Sequence, residues 1–416
     1  MYKINTKVDK PDIKYMRERI EEVARDGFRV SDDIQNILDI LNADLENNKK
    51  QVMSYGIKNP NSPAQVIAYL QSLKDPNVAE CCIDGKGKWS SNRDCLAKLA
   101  HKGNDFAIDL LTYRKSTEYV RSVKQLVDTM GSEHIVRPQI NYGKTNRVNY
   151  ANPAIMNIPK DIIWDLIVPS KEGNVLVSVD IKNQEPWILI NMLHIESLKD
   201  VLKDNSEGGL YNALYKIIFG TEPTPIQRKE FKTSWNALTY GSTKKAIVET
   251  YRNIDGAKVY SYFTKIPELA EYKTNCYKLA TAKKKDTHTL FGTELIADGD
   301  AKGRLQRQLM DLPIQGTGAD ILALLIKHFD DETEEKGLAD KMWMYFTRHD
   351  ELVVEVDGKA FKEMGEEKVF EILRDLFEHQ IDDWEPFKVE ICKIEKKGLI
   401  DAKLFEQLDD DDEFII

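Results

Sequence analysis

Two aspartates stand at the ends of short apolar stretches, where a carboxylate can hold a divalent metal ion. Asp180 follows Val175, Val177 and Val179 in the run 174–181 (NVLVSVDI), which predicts a buried strand. Asp350 lies in 348–351 (RHDE), between two apolar runs that predict a β-hairpin. If the two strands are neighbours, the carboxylates repel each other unless a cation bridges them. Two Mg²⁺ ions roughly 4 Å apart would then activate an attacking hydroxyl and stabilise a leaving phosphate.

A second group of reactive side chains shares one face of a predicted helix. The helix begins at 224–227 (TPIQ), a capping-box pattern with proline at the first helical position. Cations followed by aromatic residues suit a nucleoside triphosphate, because cations bind phosphates and aromatic rings stack on bases. A solvated amphipathic helix is the alternative for such a face in isolation, and the carboxylates on either side in sequence favour the nucleotide. The residues at spacings i, i+4, i+7, i+8 and i+12 are Arg228, Lys232, Trp235, Asn236 and Tyr240.

The elements that would carry these side chains alternate between helical and strand-like segments. Helical patterns fill residues 1 to about 130 and dominate 185–290. The strand at 174–181 lies between them, and the hairpin at 342–356 follows, with His349 and Asp350 at or near its turn. Pro313 is expected to introduce a strongly apolar helix. Helices before, between and after strands predict an α+β fold in which helical subdomains are attached to a sheet.

Composition narrows the class of protein. The 416 residues suffice for two or three subdomains. The net charge of −10 argues against a protein that coats DNA with a uniformly basic surface, although a local basic surface is enough for phosphate contacts. Five cysteines without paired CxxC motifs argue against zinc and for reduced thiols in a cytosolic protein. No stretch approaches the ~18 apolar residues of a membrane span, and the N-terminus lacks a secretory signal.

Taken in order, these motifs resemble the family A DNA polymerases, the bacterial DNA polymerase I family, over nearly the whole chain. Residues 180–185 (DIKNQE) resemble the first catalytic motif, 228–241 (RKEFKTSWNALTYG) the fingers helix and 348–352 (RHDEL) the third motif. Four further segments are similar to parts of the family that contact primer and template: 145–147 (TNR), 152–153 (NP), 157–159 (NIP) and 313–320 (PIQGTGAD), with Arg307 before the last. Two more, 61–65 (NSPAQ) and 113–114 (YR), resemble landmarks of the thumb and its base.

The resemblance implies a right-hand polymerase fold, with an antiparallel β-sheet palm and mainly helical fingers and thumb. The expected boundaries are an N-terminal helical segment at 1–30, the thumb at 31–130, the first part of the palm at 131–200, the fingers at 201–300, the second part of the palm at 301–407 and an acidic tail at 408–416.

The resemblance also assigns roles residue by residue. It implies that Asp180, Asp350, Lys232 and Glu351 are catalytic, and that Asp180, Asp350 and the backbone carbonyl of Ile181 hold two Mg²⁺ ions. The residues implied to bind the dNTP are Arg228, Lys232, Trp235, Asn236, Tyr240, Glu185 and Ile181. The residues implied to contact the primer-template are Arg147, Asn157, Arg307, Gln315 and His349.

Glu185 separates a DNA polymerase from the single-subunit RNA polymerases, which share an Arg-Lys-Tyr-Gly helix. In the family this acid closes the space at the sugar 2′ position, so deoxynucleotides are preferred. The chain also departs from the family pattern. Asn236 stands where the family has an aromatic residue, Gly209 and Tyr211 replace an aspartate and a histidine, and 293–295 (TEL) replaces an arginine run.

The sequence therefore predicts a template-directed DNA polymerase that adds dNTPs to a primer 3′-hydroxyl and lacks a proofreading exonuclease. A non-catalytic DNA-binding scaffold on a polymerase fold and an RNA polymerase are the alternatives. We expect a monomer that binds primer-template DNA and no membrane, in the cytoplasm of a bacterial or phage-infected host cell. The tail 408–416 (LDDDDEFII) is either a disordered solubilising end, a docking peptide for a replication partner, or a mimic of DNA phosphates.

Overall fold

The computed structural model describes residues 11–83, 87–159, 162–202, 209–251, 253–283, 285–299, 301–378 and 387–396. These residues divide between two compact units. The sheet unit comprises Met1–Phe28, Gln139–Tyr150 and Pro169–Ile394, and the helical unit comprises Arg29–Pro138, Ala151–Val168 and Glu395–Ile416. The predicted tail at 408–416 lies outside the described residues.

Seventeen α-helices and ten strands are assigned among the described residues. The helices are α1 (Ile13–Asp26), α2 (Ile34–Ser54), α3 (Pro63–Ser72), α4 (Pro76–Cys82), α5 (Arg93–His101), α6 (Asp105–Thr129), α7 (Ile163–Leu166), α8 (Gln184–Met192), α9 (Glu196–Leu202), α10 (Gly209–Phe219), α11 (Pro225–Thr239), α12 (Lys244–Thr250), α13 (Gly256–Lys265), α14 (Pro267–Leu279), α15 (Lys302–Glu335), α16 (Gly358–Met364) and α17 (Glu366–Phe377). The strands are β1 (Phe28–Arg29), β2 (Ile135–Val136), β3 (Gln139–Tyr142), β4 (Val148–Ala151), β5 (Val175–Ile181), β6 (Asp286–His288), β7 (Glu294–Ile296), β8 (Met342–Arg348), β9 (Glu351–Val356) and β10 (Val389–Lys393).

The main sheet has the order β10-β5-β9-β8, and its neighbouring strands are all antiparallel. Strand β5 lies inside the sheet and is nearly continuously apolar, as expected for a strand that is covered on both faces. Its register pairs Asp180 with Glu351 on β9 and with Glu390 on β10. The predicted strand and the predicted hairpin are therefore both confirmed, with His349 and Asp350 at the turn between β8 and β9.

A buried carboxylate fixes the segment that leads into β5. Glu355 on β9 has no exposed surface, and its Oε1 accepts hydrogen bonds from the Ser170 backbone N–H at 3.0 Å, the Ser170 hydroxyl at 2.9 Å and Asn174 Nδ2 at 2.8 Å. The entry of β5 is thereby tied to the neighbouring strand.

The long helix α15 differs from the expectation that Pro313 begins a helix, because the helix starts at Lys302 and contains Pro313. Pro313 has no N–H to donate to the Leu309 carbonyl. That carbonyl instead accepts from Cys276 Sγ at 3.5 Å, and the Tyr272 hydroxyl lies 3.5 Å from it and 2.8 Å from the Met310 carbonyl. Helix α14 thus supplies the donors that let α15 continue through proline.

Helix α15 is also the one described helix whose length and apolar composition would suit a membrane span. In this fold, 83% of its most apolar stretch is buried inside the protein. Its apolar character is explained by its position as a core helix of the sheet unit.

The helical unit confirms the helical character predicted for the segment around 31–130. Its core lies between helices α2 to α6 and includes Val66, Leu70, Leu96, Phe106 and Leu110. Ser62 caps α3 by accepting from the Gln65 N–H, and Asn61 Nδ2 donates to the Tyr113 hydroxyl at 3.0 Å. Two segments that resemble thumb landmarks are therefore in contact, although the thumb, palm and fingers boundaries stay a prediction.

Candidate active site

The floor of the candidate site is the end of β5 and the β8–β9 turn. Asp180 is the cross-strand partner of Glu351, and Asp350 directly precedes Glu351. The antiparallel register therefore brings the two predicted metal-binding aspartates to neighbouring strand ends. Ile181 follows Asp180 with its side chain buried, which leaves its backbone carbonyl as the group available for the predicted role.

Glu351 is held by β5 rather than projecting into solvent. Its side chain is 6% exposed and accepts a very short hydrogen bond from the Ser178 hydroxyl. Ser178 and Asp180 lie on the same face of β5 because side chains alternate along a strand. Glu351 thus links the turn that carries Asp350 to the strand that carries Asp180.

The donors at this floor fit a hard divalent cation. Two carboxylates and a backbone carbonyl offer only oxygen, and Mg²⁺ is commonly bound through one or two carboxylates plus substrate phosphates. Among the described residues, no group of three or more His, Cys, Asp or Glu side chains is arranged to enclose a metal ion.

Helix α11 begins at a full capping box, in which Thr224 accepts from the Gln227 N–H and the Gln227 side chain accepts from the Thr224 N–H. Arg228, Lys232 and Asn236 lie in succession on this helix, each about one turn after the one before. They share a face that is not buried. Tyr240 follows directly after the helix. The structure therefore brings four of the five predicted side chains of this helix to one side.

Trp235 is a correction to the predicted nucleotide-binding face. Its side chain is 1% exposed and packs against Phe231 and Phe263, with ring centroids 6.0 Å and 5.1 Å away. Adjacent helical residues point about 100° apart, so Trp235 and Asn236 cannot both face the same way. Trp235 belongs to the core between α11 and α13 and is not available to stack on a base.

Asn236 is held by a residue that was not assigned a role from the sequence. The buried Tyr211 on α10 donates its hydroxyl to Asn236 Oδ1 at 3.0 Å, and Lys232 Nζ lies 5.8 Å from the centre of the Tyr211 ring. Burial raises the pKa of Tyr211 far above its usual value, so the hydroxyl stays a donor. Two of the departures from the family pattern, Tyr211 and Asn236, are therefore bonded to each other.

Glu185, near the start of α8, is the centre of a polar cluster. It accepts a very short hydrogen bond from the Tyr240 hydroxyl and another from Gln315 Nε2 at 3.3 Å, and Arg147 lies 3.6 Å from its Oε1. Burial and the Glu185 charge raise the pKa of Tyr240 far above its usual value. The predicted sugar-selecting acid and three other predicted contacts thus form one network.

Arg147 extends this network towards the β8–β9 turn. Its Nη1 donates to Gln315 Oε1 at 2.9 Å. Partial burial and the Arg348 charge lower the pKa of His349, the Asp350 charge acts in the opposite direction, and the Arg147 charge adds to the lowering. His349 has a φ of +57°, a left-handed backbone conformation that a non-glycine residue adopts uncommonly. Arg147 therefore bonds directly to Gln315, and its charge acts on His349.

The two remaining primer-template residues differ in position. Arg307 is exposed on α15, and its Cγ would lie 3.4 Å from a Cβ built on Gly241, next to Tyr240. Gly241 has a φ of +89°, which favours glycine at the end of α11. Asn157 ends a 3₁₀ helix, Ile155–Asn157, in the helical unit and is exposed. Its contact with the primer stays a prediction.

Asp311 is a residue of the site that sequence reasoning missed. Burial and the Glu185 charge raise its pKa to about 6, while Arg147 acts in the opposite direction. Asp311 lies four residues before Gln315 on α15, a spacing that places both on one face. No sequence signal pointed to it, because the helix was expected to begin only at Pro313.

Comparison with known proteins gives one family. The family model for DNA polymerase family A matches residues 31–391. DNA polymerase I of Aquifex aeolicus (strain VF5) is 26% identical over 367 residues, which cover 83% of this chain and 61% of that protein. DNA polymerase I of Caldicellulosiruptor bescii is 25% identical over 432 residues, which cover 94% of this chain and 48% of that protein. The chain therefore spans about half to three fifths of the length of these relatives.

A solved structure has the same fold. The POL domain of Pol1 from M. smegmatis, in complex with DNA primer-template and dNTP, matches with a TM-score of 0.77 at 21% identity. The match covers 92% of this chain and 69% of that chain. It confirms the predicted fold class, α+β with an antiparallel sheet and mainly helical attachments.

Proposed function

The chain belongs to DNA polymerase family A, and we propose that it is a template-directed DNA polymerase that adds dNTPs to the 3′-hydroxyl of a primer. The observation that carries the proposal is the strand register that sets Asp180 opposite Glu351 and next to Asp350. A scaffold without catalysis has no chemical need for two carboxylates at neighbouring strand ends.

Asp180, Asp350 and the carbonyl of Ile181 would hold two Mg²⁺ ions, which when bound supply positive charge to the attacking oxygen and the departing phosphate. Arg228 and Lys232 bind the triphosphate. Their positive charges stabilise the negative charge that develops on the leaving phosphates as the bond to the α-phosphorus breaks. The primer 3′-hydroxyl gives up its proton to water as its oxygen bonds to the α-phosphorus, the bond from that phosphorus to the oxygen bridging to the β-phosphate breaks, and pyrophosphate leaves. Catalysis then rests on positioning and charge.

The network around Glu185 supports selection of deoxyribose. The Tyr240 hydroxyl bonds to Glu185 Oε2, and Gln315 Nε2 and Arg147 lie against its Oε1, so these contacts oppose a movement of the carboxylate that would admit a 2′-hydroxyl. A fixed group rejects a larger substrate more strongly than a mobile one, because avoiding the clash would require breaking its own bonds. This favours a DNA polymerase over an RNA polymerase.

The test is primer extension on a defined template with dNTPs or rNTPs and Mg²⁺, with the wild type and Asp350→Ala compared side by side. We expect extension by the wild type with dNTPs and a loss of at least about a thousandfold in the variant. A wild type without Mg²⁺-dependent extension would refute the enzyme and favour a scaffold. Faster extension with rNTPs would favour an RNA polymerase.

The absence of proofreading within these 416 residues is a further part of the proposal. The family match occupies 31–391, and the stretches of the given sequence outside it are shorter than an ordinary domain of about 50–200 residues. A labelled primer with a mismatched 3′-end, incubated without dNTPs, is expected to keep its length. Shortening that persists in Asp350→Ala would contradict this.

We also propose that the protein acts as a cytoplasmic monomer. A separate proposal is that the tail 408–416 docks on a basic, apolar pocket of a replication partner. The five consecutive acids followed by Phe414, Ile415 and Ile416 support a docking peptide. Deletion of 408–416 should leave primer extension by the isolated protein unchanged and abolish stimulation by partner proteins. Faster extension by the deleted form alone would instead favour a tail that mimics DNA.

A further inference from the structure

Helix α1 lies before the region that the family model matches, yet it contacts the turn that carries Arg147. The match begins at residue 31, whereas α1 spans Ile13–Asp26. Arg17 on this helix donates from Nη2 to Asn146 Oδ1 at 2.6 Å, and its Cζ lies 4.5 Å from the centre of the Tyr142 ring. The Tyr142 hydroxyl donates to the Arg17 backbone carbonyl at 3.2 Å.

The turn held by Arg17 joins β3 to β4 and is tight. The Gly143 N–H donates to the Arg147 carbonyl at 2.9 Å, and the Asn146 N–H donates to the Gly143 carbonyl at 3.0 Å. Asn146 has a φ of +60°, a left-handed conformation that asparagine tolerates better than most residues. A bond to the Asn146 side chain therefore restrains the backbone immediately before Arg147.

Arg147 carries this restraint into the site. Its guanidinium bonds to Gln315 at 2.9 Å and lies 3.6 Å from Glu185. An arginine has a long side chain with about 2 kcal/mol of rotamer entropy, so its placement depends on a fixed backbone and fixed partners. Gln315 and Glu185 fix the guanidinium end, and the Arg17–Asn146 bond fixes the backbone end.

We propose that Arg17 is a positioning residue for primer-template binding, which acts by holding the 143–147 turn so that Arg147 is set in place before DNA arrives. The inference rests on the proposed function, because it takes Arg147 as a contact to DNA. In the contacts described above, Arg17 binds only groups of the protein. Its effect on DNA binding would therefore pass through Arg147. Its guanidinium has the planar fork needed to bond Asn146 while it stacks on Tyr142, which a lysine cannot reproduce.

The experiment measures the Kd of a fluorescein-labelled primer-template by anisotropy without dNTP, and separately the KM for dNTP and kcat. Arg17→Met removes the guanidinium and keeps an apolar stem. Asn146→Gly removes the acceptor and permits the left-handed backbone. Arg19→Met is the matched control, because Arg19 lies two residues along the same helix and pairs with Asp330 at 3.1 Å, away from the turn.

We expect Arg17→Met and Asn146→Gly to raise the Kd about tenfold, the effect of one lost charge-assisted hydrogen bond, with little change in the KM for dNTP. Arg17→Lys should recover part of the affinity. Arg19→Met should lower the melting temperature but leave the Kd within about twofold. In an Arg147→Ala background, Arg17→Met should have little further effect, because its route to DNA is gone.

An unchanged Kd in folded Arg17→Met and Asn146→Gly would overturn the inference. An equal rise in the Kd of Arg19→Met would also overturn it. A full tenfold effect that survives in Arg147→Ala would also overturn it and indicate direct DNA contact by Arg17. If Arg17→Met fails to fold, Asn146→Gly decides. Because the Kd is measured without catalysis, a wild type that binds DNA without extending primers would refute the proposed function separately.

Discussion

The Tyr211 hydroxyl donates to Asn236 Oδ1 at 3.0 Å, so that a residue of α10 fixes the orientation of the amide on α11. With its oxygen occupied, the amide presents its NH₂ group as the remaining donor. Asn236 lies one helical turn after Lys232 and one turn before Tyr240. A directed hydrogen-bond donor thus stands between the side chains proposed to bind the triphosphate and the sugar.

Replacing Tyr211 by phenylalanine should weaken dNTP binding. The variant keeps the ring beneath Lys232 but releases the amide of Asn236, which costs about 1 kcal/mol and raises the KM for dNTP about fivefold. The kcat should change little, because the contact is present before and during the reaction. Steady-state extension at varied dNTP concentration measures both constants.

Tyr215→Phe is the matched control for this change. Tyr215 lies one turn later on α10 and packs its ring 5.6 Å from that of Phe231. Its loss of a hydroxyl should leave the KM unaltered. An equal rise in the KM for dNTP in both variants would mean that either change loosens α10 in general. The nucleotide would then make no contact with the Asn236 amide.

Glu185→Ala should relax the choice of sugar. Removal of the carboxylate opens the space that Tyr240, Gln315 and Arg147 hold closed, and we expect the preference for dNTP over rNTP to fall about a hundredfold. The ratio of kcat/KM for the two substrates is the measurement. Tyr240→Phe keeps the carboxylate and should lower the preference far less, so equal losses would argue against Glu185 as the selecting group.

Asp320 should make stability depend on pH. Its side chain is fully buried and accepts from the Thr293 hydroxyl at 3.0 Å and 3.1 Å, and burial raises its pKa from 3.8 to about 6. The folded protein therefore keeps a proton that the unfolded chain has lost, so the stabilisation is complete below about pH 4 and is lost as the pH rises through about 6.

The Asp320→Asn variant isolates this contribution. Between about pH 4 and about pH 7, the free energy of unfolding of the wild type should fall by up to about 3 kcal/mol more than that of the variant. Urea unfolding at several pH values measures the difference. Parallel curves for the two proteins would show that Asp320 does not titrate in this range.

Tyr272→Phe should destabilise the sheet unit by about 1–2 kcal/mol, since it leaves buried carbonyls on α15 with fewer donors. In a Pro313→Ala background the cost should shrink, because an alanine at this position restores an N–H for the Leu309 carbonyl. Urea unfolding of the wild type, Tyr272→Phe, Pro313→Ala and the double variant measures the coupling free energy between the two positions. Tyr277→Phe, on the exposed side of α14, should cost less than about 0.5 kcal/mol.

Local patterns explain what could be predicted from the sequence. The strand that ends at Asp180 is almost wholly apolar, and the hairpin around Asp350 has apolar runs on both sides, so both were identifiable without knowledge of the fold. Thr224 and Gln227 reproduce a complete capping box, which fixes the start of α11 and hence the side on which Lys232 emerges.

Contacts between distant segments explain the rest. Whether Trp235 or Asn236 faces outward depends on Phe263, which α13 brings against α11. Pro313 continues a helix because Tyr272 and Cys276 on α14 meet its carbonyls. A contact from a distant helix produces no periodic pattern in the sequence around the residue that it affects. Local sequence patterns therefore cannot predict it.

Strand β5, which carries Asp180, is enclosed by β9 on one edge and by β10 on the other, and both are translated long after it. A nascent chain must therefore emerge from the ribosome as far as Lys393 before this strand is paired on both edges. Until then its unpaired amide and carbonyl groups can recruit strands of other molecules. The floor of the candidate site is therefore completed only after β10, the last of the described strands, has been synthesised. A chain stalled before β10 is expected to be inactive and prone to aggregate.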